Sequence, residues 1–165
     1  MNGTSGALSG LRILELSGPA GQPCGRVLGD LGADVILVEP SNGTPSRYYE
    51  PYASQAQDPE RSIYFLHFNT NKRSIAIDIE TKAGRENLLA VLETVDVVIE
   101  SFDPGYLESI NLGFEKMKQI NPEIILASLS PFGQSGPYKE FKGSDITVTS
   151  LSGLVLGEGN LEGPP

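Results

Sequence analysis

Two short apolar runs near the start of the chain, 13–16 and 35–38, are rich in Ile, Leu and Val and bounded by Gly and Pro. Runs of that length without alternation mark strands buried on both faces, as in parallel sheets. Between them a Gly/Pro loop leads into a helical stretch at 24–31, where Val27, Leu28 and Leu31 have the spacing of one apolar helix face. Strand, loop, helix, strand is a right-handed βαβ unit. Its first loop lies at the carboxyl end of a strand, where ligands bind in such sheets.

The pattern then breaks. Residues 40–62 are polar, with several prolines and no period, and carry Tyr48, Tyr49 and Tyr52. Loops of this length in compact domains are usually functional or partner-bound. The apolar stretch 63–68 reads as a short helix or turn under the sheet, and 69–73 as a polar loop. At 74–79, Ile75, Ile77 and Ile79 alternate as on a strand. Thr81 is placed to cap a helix over 82–95, with Leu88, Leu89, Val91 and Leu92 on its apolar face. Buried strands follow at 96–100 and 124–128, separated by short helices at 106–110 and 114–120. Residues 145–156 have weaker helical character, because Thr147, Val148 and Thr149 interrupt it. The order β-α-β-loop-β-α-β-αα-β predicts an α/β fold, a Rossmann-like doubly wound, mostly parallel sheet of about five strands. Its strand-end loops would be 17–25, 101–105 and 130–138, with 69–73 entering from the front of a strand. Residues 1–7 read as a flexible leader, 8–156 as the domain and 157–165 as a Gly/Pro tail.

Composition narrows the function. A net charge of -9 over 165 residues argues against nucleic acid as a partner, which would need a basic face. One cysteine, Cys24, permits no internal disulfide and reads as a small packed residue at a helix start. The first residues lack the basic and apolar regions of a signal peptide, and no apolar run is long enough to span a membrane. A cytoplasmic protein is the expectation.

Candidate chemistry is sparse. The first loop has glycines at 18, 21 and 25, which is not the G-x-G-x-x-G spacing of an NAD site. Glu39 stands where an NAD-binding acid would, but reads as a solvated strand-end residue. His67, the single histidine, lies between Leu66 and Phe68 and reads as half-buried and structural. No His/Cys spacing suggests a metal. Asp145 fits a helix N-cap. Lys72 and Arg73, flanked by Asn69 and Asn71, are the one basic cluster that suggests anion recognition; strand-flanking charges in water are the plainer reading.

Several stretches, taken in order, resemble the class III CoA-transferases, the family of formyl-CoA transferase and the carnitine and bile-acid CoA-transferases. They are LSGLRILEL (8–16), AGQPCGRVLGDLGADVILVEP (20–40), FNTNKRSIAIDI (68–79), DVVIESFDPGYLESINL (96–112), INPEIILASLSPFGQSGPY (120–138), GSDITVTSLSGL (143–154) and GPP (163–165). The resemblance runs from Leu8 to Pro165. It implies that the chain is the N-terminal part of the family's Rossmann-like large domain, with coenzyme A lying along the strand-end rim as acyl-CoA substrate, and with neither metal nor NAD. The residues it implies for CoA are Pro19, Ala20, Phe68, Asn69, Asn71, Lys72, Arg73, Ser101, Phe102, Asp103, Ser130, Pro131, Phe132 and Gly133. The partners implied are an acyl-CoA, a carboxylic acid and a second chain, in an interlocked homodimer or as a complementing subunit.

The family reaction passes through an aspartyl intermediate, and its Asp lies shortly after the Gly-Pro-Pro at 163–165. No catalytic residue is therefore assigned within this chain, which is expected to be inactive alone. A non-catalytic CoA-binding partner subunit is the alternative. The α-methylacyl-CoA racemases are relatives, but they carry His where this chain has Ser144, so transfer is preferred over racemisation. The chain also has Ser101 where Asn is common, Ser109 where a basic residue is common and Thr149 where Gln is common.

Overall fold

Strand β1 (Arg12–Leu16) is the centre of the molecule, and its alternation divides the core in two. In the computed structural model, which describes residues 6–54 and 56–157, Leu14 and Leu16 point to one face of the sheet. There they join Val38, Ile77, Leu88, Leu92, Val98, Leu107 and Met117. Ile13 points to the other face, with Val35, Ile99 and Ala33. Both faces of β1 are covered, so the near-continuous apolar run is physically required.

Four more strands pair in parallel with β1 or its neighbours: β2 (Asp34–Glu39), β3 (Arg73–Ala76), β4 (Val97–Glu100) and β5 (Ile125–Ser128). Their order is β3-β2-β1-β4-β5. The expected doubly wound parallel sheet is the observed one. Strand order reverses between β1 and β4, which opens a crevice at their carboxyl ends.

The helices form for local reasons. Helix α1 (Gln22–Asp30) has Pro23 in its first turn, where a missing N–H costs nothing, and Gly32 turns the chain out of it at φ +104°. In α2 (Ile63–Asn69), Ser62 Oγ accepts from the Phe65 amide at 3.2 Å. In α3 (Lys82–Leu92), Thr81 Oγ1 accepts from Gly84 N at 3.0 Å, the expected cap. Two short helices, α4 (Tyr106–Ser109) and α5 (Phe114–Ile120), follow β4. Helix α6 (Asp145–Leu151) ends before a 3-10 turn at Leu154–Gly157, so the single stretch to 156 is shorter than expected.

Other expectations are corrected. Of the three apolar residues on the expected face of α1, Leu28 is half-buried and packs on the cluster of Ile13 and Val35, whereas Val27 and Leu31 are 57% and 45% exposed, and the fully buried positions are Gln22 and Gly25. Spacing alone cannot tell which side of a short helix meets the sheet, and here close approach of the backbone decides it. Cys24 is exposed rather than packed. His67 is exposed on the outer side of α2. The N-cap of α6 is Ser144, whose amide donates to Thr147 Oγ1 at 2.8 Å, and Asp145 is the first helical residue. Strand β5 is an edge strand and is not buried; Ile125 is 60% exposed. The leader and the Gly/Pro tail fall mostly outside the described residues.

Candidate functional site

The exits of four strands enclose a cavity of about 390 Å³ on the α3 side of the sheet. Its floor is Leu16, Val38 and Ile77, the last core residues of β1, β2 and the β3 exit. Its walls are Gly18 and Ser101 on one side and Ile79, Phe102 and Tyr106 on the other. The crevice is the one that the strand order demands, because β1 and β4 send their loops to opposite faces there.

Hydrogen bonds fix its shape. Gly18 N donates to Ser101 Oγ at 2.8 Å, which ties the β1 exit to the β4 exit. Phe102 N donates to Glu100 Oε2 at 2.7 Å, and the Phe102 and Tyr106 rings lie 4.7 Å apart. The Tyr106 hydroxyl donates to the Glu80 carboxylate. Burial, then Glu80, push the Tyr106 phenol up to about 12, so it stays a donor at neutral pH.

Glu39 also borders the cavity, and here the structure corrects the sequence reading. It is 3% exposed, not solvated. Arg47 holds it with two hydrogen bonds, 2.7 and 2.8 Å, and Thr44 N and the Ser74 hydroxyl also donate to it. Burial pushes its carboxyl up, and these donors more than reverse that, leaving it below its ordinary value. Arg47 further bonds Glu60 at 2.8 Å and lies 3.8 Å over the Phe65 ring. The long 40–62 excursion is thereby pinned to the sheet beside the cavity.

Beneath the first loop lies a second polar cluster. Lys72 Nζ stands 2.8 Å from Glu15 Oε2, with side chains 1% and 0% exposed. The contact is between charges rather than an aligned hydrogen bond. Ser17 Oγ donates to Glu15 Oε1 at 2.7 Å, and Lys72 Nζ donates to the Gln22 carbonyl at 2.8 Å. Burial pushes Glu15 up and Lys72 down, each partly opposed by the other's charge. A Cβ at Gly25 would stand 1.7 Å from Glu15 Oε2, so the pair fits only beneath a glycine. Asn69 Nδ2 donates to Gln22 Oε1 at 3.1 Å and to the Phe65 carbonyl at 3.0 Å. Asn71 Nδ2 donates to the Arg26 carbonyl at 2.9 Å.

Of the residues singled out in the sequence, Ser101 and Phe102 line the cavity. Pro19 and Ala20 follow directly on Gly18, and the Pro19 carbonyl accepts from Tyr64 OH at 3.3 Å. Phe68 is half-buried, with its ring 4.9 Å from Tyr64. The side chains of Asn69, Asn71 and Lys72 are engaged inside the fold, against α1 and β1. Arg73 sits at the amino end of β3, away from the strand exits, and pairs with Asp34. The structure therefore does not bring these four to the cavity. Asp103 is exposed and pairs with Lys142 at 2.6 Å. Ser130, Pro131, Phe132 and Gly133 form the exit of β5, outside the cavity lining. Sequence reasoning missed Leu16, Val38, Pro40, Ile77 and Tyr106 as lining residues. The available signal was position: Leu16, Val38, Pro40 and Ile77 are each at or just past a strand end, and Tyr106 opens the helix that follows the β4 exit. Among the described residues, no group of three or more His, Cys, Asp or Glu is placed to hold a metal ion.

Comparison with known proteins supplies the rest. The model of CoA-transferase family III matches residues 8–165. The chain is 35% identical over 147 residues to the succinyl-CoA:(R)-benzylsuccinate CoA-transferase subunit BbsE of Thauera aromatica, covering 89% of this chain and 36% of the relative. It is 38% identical over 162 residues to a succinate–glutarate CoA-transferase of Agrobacterium fabrum, covering 96% and 40%. Among solved structures, a CAIB/BAIF family protein from Brucella suis superposes with a TM-score of 0.88 at 36% identity, covering 98% of this chain and 43% of that one. The hypothetical protein Rv3272 of Mycobacterium tuberculosis gives 0.82 at 34% identity, covering 98% and 43%. The chain thus spans well under half the length of the relatives it matches.

Proposed function

The chain belongs to CoA-transferase family III, and from that premise we propose that it serves the transfer of CoA from an acyl-CoA to a free carboxylic acid. The observation that carries the reading is the apolar cavity at the β1/β4 switch point, of a size to seat an adenosine. In this reading the adenine lies against Phe102, Ile79 and Ile77, and the chain of the thioester leaves past Gly18, Pro19 and Ala20. Asn69, Asn71 and Lys72 act from below, holding α1 and the loop before it. Arg73 anchors β3 to β2. Asp103 and the 130–133 loop extend the rim along which the rest of CoA runs.

The reaction needs a carboxylate nucleophile, which this reading assigns to an aspartate in sequence beyond 163–165. That carboxylate attacks the thioester carbonyl, forming a mixed anhydride and CoA thiolate. The thiolate attacks the aspartyl carbonyl, releasing the donor acid and leaving an aspartyl-CoA thioester. The acceptor carboxylate and the thiolate then repeat the exchange, and the aspartate is regenerated. Two easier steps replace one hard one at each stage. The contribution of this domain is to hold the departed thiolate close while water stays out.

Further polypeptide is part of the proposal. Ile146, Leu151 and Leu154, on α6 and the 3-10 turn after it, are 72%, 72% and 64% exposed, and Ile125 on the edge strand β5 is 60% exposed. The exposure of so many large apolar side chains supports their cover by more of the same polypeptide or by a second, interlocked copy. No helix among the described residues is long and apolar enough to cross a membrane; the proposal places the protein in the cytoplasm.

Isothermal titration of the purified protein with CoA and with NAD tests the reading. CoA is expected to bind and NAD is not. Binding of NAD without CoA would overturn it. With succinyl-CoA and an 18O-labelled carboxylate, a protein that includes the sequence beyond 163–165 is expected to take one label onto its aspartate, as the anhydride route requires.

A further inference from the structure

Two guanidinium groups stand beside the cavity, one near the exit of β2 and one near the exit of β3. Arg47, in the 3-10 turn after β2, is fully engaged: its Nε and Nη2 donate to Glu39, its Nη1 donates to Glu60, and it lies 3.8 Å over the Phe65 ring. Arg85, near the start of α3, is half-buried and differently placed. Its Nη1 donates to the carbonyls of Ile79 and Glu80, at 3.0 and 2.8 Å, and both of those residues line the cavity. These bonds use one nitrogen of the guanidinium. Among the described residues its Nε and Nη2 stay open to an oxyanion, which an arginine takes in a fork of two parallel hydrogen bonds. The Glu80 carboxylate accepts from the Tyr106 hydroxyl. The Arg85 charge opposes the rise of that phenol, so the guanidinium acts on the same wall of the cavity.

The adenosine end of CoA carries a phosphate on the ribose 3′-oxygen, with nearly two negative charges at neutral pH. With the adenine against Ile77 and Phe102 and the 5′ chain leaving past Gly18, the 3′ side of the ribose faces the opposite wall, at Ile79, Glu80 and Tyr106. A dianion that reaches this wall meets the Glu80 carboxylate, and a fixed cation is what offsets that repulsion. The cation held to the wall is Arg85. We propose that Arg85 receives the ribose 3′-phosphate, and that through this contact the protein takes CoA in preference to its 3′-dephospho form. The proposal rests on the reading that this cavity holds the nucleotide end of CoA, and it names the residue that selects the phosphorylated form. The two carbonyls hold the guanidinium in place before the ligand arrives, so little side-chain freedom is left to lose on binding.

A cation a few ångströms from a phosphate at a half-exposed site strengthens association by roughly tenfold, and salt screens the effect. The test is titration of the purified protein and of its Arg85→Met and Arg85→Lys variants with CoA and with 3′-dephospho-CoA, at low and at high ionic strength. The parent is expected to bind CoA about tenfold more tightly than the dephospho form at low salt, with a smaller ratio at high salt. Arg85→Met is expected to weaken CoA about tenfold and to leave dephospho-CoA within about twofold, so the ratio falls to about one. Arg85→Lys keeps the charge and loses the fork, and is expected to keep part of the preference. Retained binding of dephospho-CoA shows that each variant is folded. If the parent does not prefer CoA, or if Arg85→Met leaves the ratio unmoved or weakens both nucleotides equally, as a purely structural tie to the two carbonyls would, the inference fails while the CoA reading stands. If the parent binds neither nucleotide, both fail.

Discussion

Replacing Lys72 with methionine tests the polar cluster beneath the first loop. The substitution keeps the length of the side chain and removes its charge. Glu15 is left fully buried, with the Ser17 hydroxyl as its one remaining donor. A buried carboxylate that has lost its cation costs about 3–5 kcal/mol. The protein has a cheaper escape, which is to bind a proton. Protonating a carboxyl above its ordinary value of 4.5 costs about 1.4 kcal/mol per pH unit, or about 3 kcal/mol at pH 7. The loss should therefore be about 3 kcal/mol at neutral pH, and it should depend on pH. In the variant the folded pKa of Glu15 lies further above 4.5, so the folded state holds a proton that the unfolded state gives up. Stability then falls as pH rises from about 4.5 to the new folded pKa, and the deficit against the parent shrinks as pH falls towards 4.5. Urea unfolding at pH 5, 6, 7 and 8 measures this directly. Adding Glu15→Gln should restore much of the loss and abolish the pH dependence. A deficit below about 1 kcal/mol at pH 7, or one that is flat with pH, would refute the reasoning.

Gly25→Ala should destabilise the fold by at least about 2 kcal/mol in urea, because the new Cβ would sit 1.7 Å from Glu15 Oε2 and 3.1 Å from Lys72 Cε; a change within about 0.5 kcal/mol would mean that the pair moves aside freely. Arg47→Met should cost stability most above pH 4.5. With Arg47 present, the Glu39 carboxyl titrates below that value, so its contribution is complete above pH 4.5 and is lost as pH falls through the folded pKa. Unfolding midpoints at pH 7 and at pH 3.5 should differ far more between variant and parent at the higher pH. Tyr106→Phe should remove a late-titrating phenol, near pH 12, from the ultraviolet difference titration.

The sheet was legible because its signal is redundant. Leu14, Leu16, Val35, Leu37, Val98 and Ile99 are each under 10% exposed, and only a doubly covered strand needs so nearly continuous an apolar run, which in β1 only Glu15 interrupts. Helix faces were less legible. On α1 the fully buried positions are a glutamine and a glycine, so a reading that equates apolar with inward finds Leu28, which packs on the core, but also picks the exposed Val27 and Leu31 and misjudges the rotation. What decides that rotation is a long-range fact, the ion pair between Glu15 and Lys72, 57 positions apart, for which only Gly25 leaves room. Glu39 misled for the same reason. Its partner, Arg47, lies within a 3-10 turn, Pro45–Tyr48, in a stretch with no period to read.

Local sequence patterns report how a segment is built more directly than what it touches. The basic pair at 72–73 with its flanking asparagines is the most conspicuous polar motif in the chain, and each of these side chains is committed to another part of the fold: Asn69 to Gln22, Asn71 to Arg26 and Lys72 to Glu15 inside it, and Arg73 to Asp34 at its surface. The cavity, by contrast, is lined by residues with no motif character, Leu16, Val38, Ile77 and Ile79 among them. The two facts are connected. A site at a strand-end crevice needs strand ends held to within a fraction of an ångström, and polar groups locked by packing do that better than flexible surface charges. Lys72 joins the start of β3, the middle of β1 and the first turn of α1 through one buried ammonium. It can therefore set the position of the loop carrying Gly18, Pro19 and Ala20 without reaching the ligand. On this argument a Lys72 variant that still folds should bind CoA more weakly through a displaced first loop.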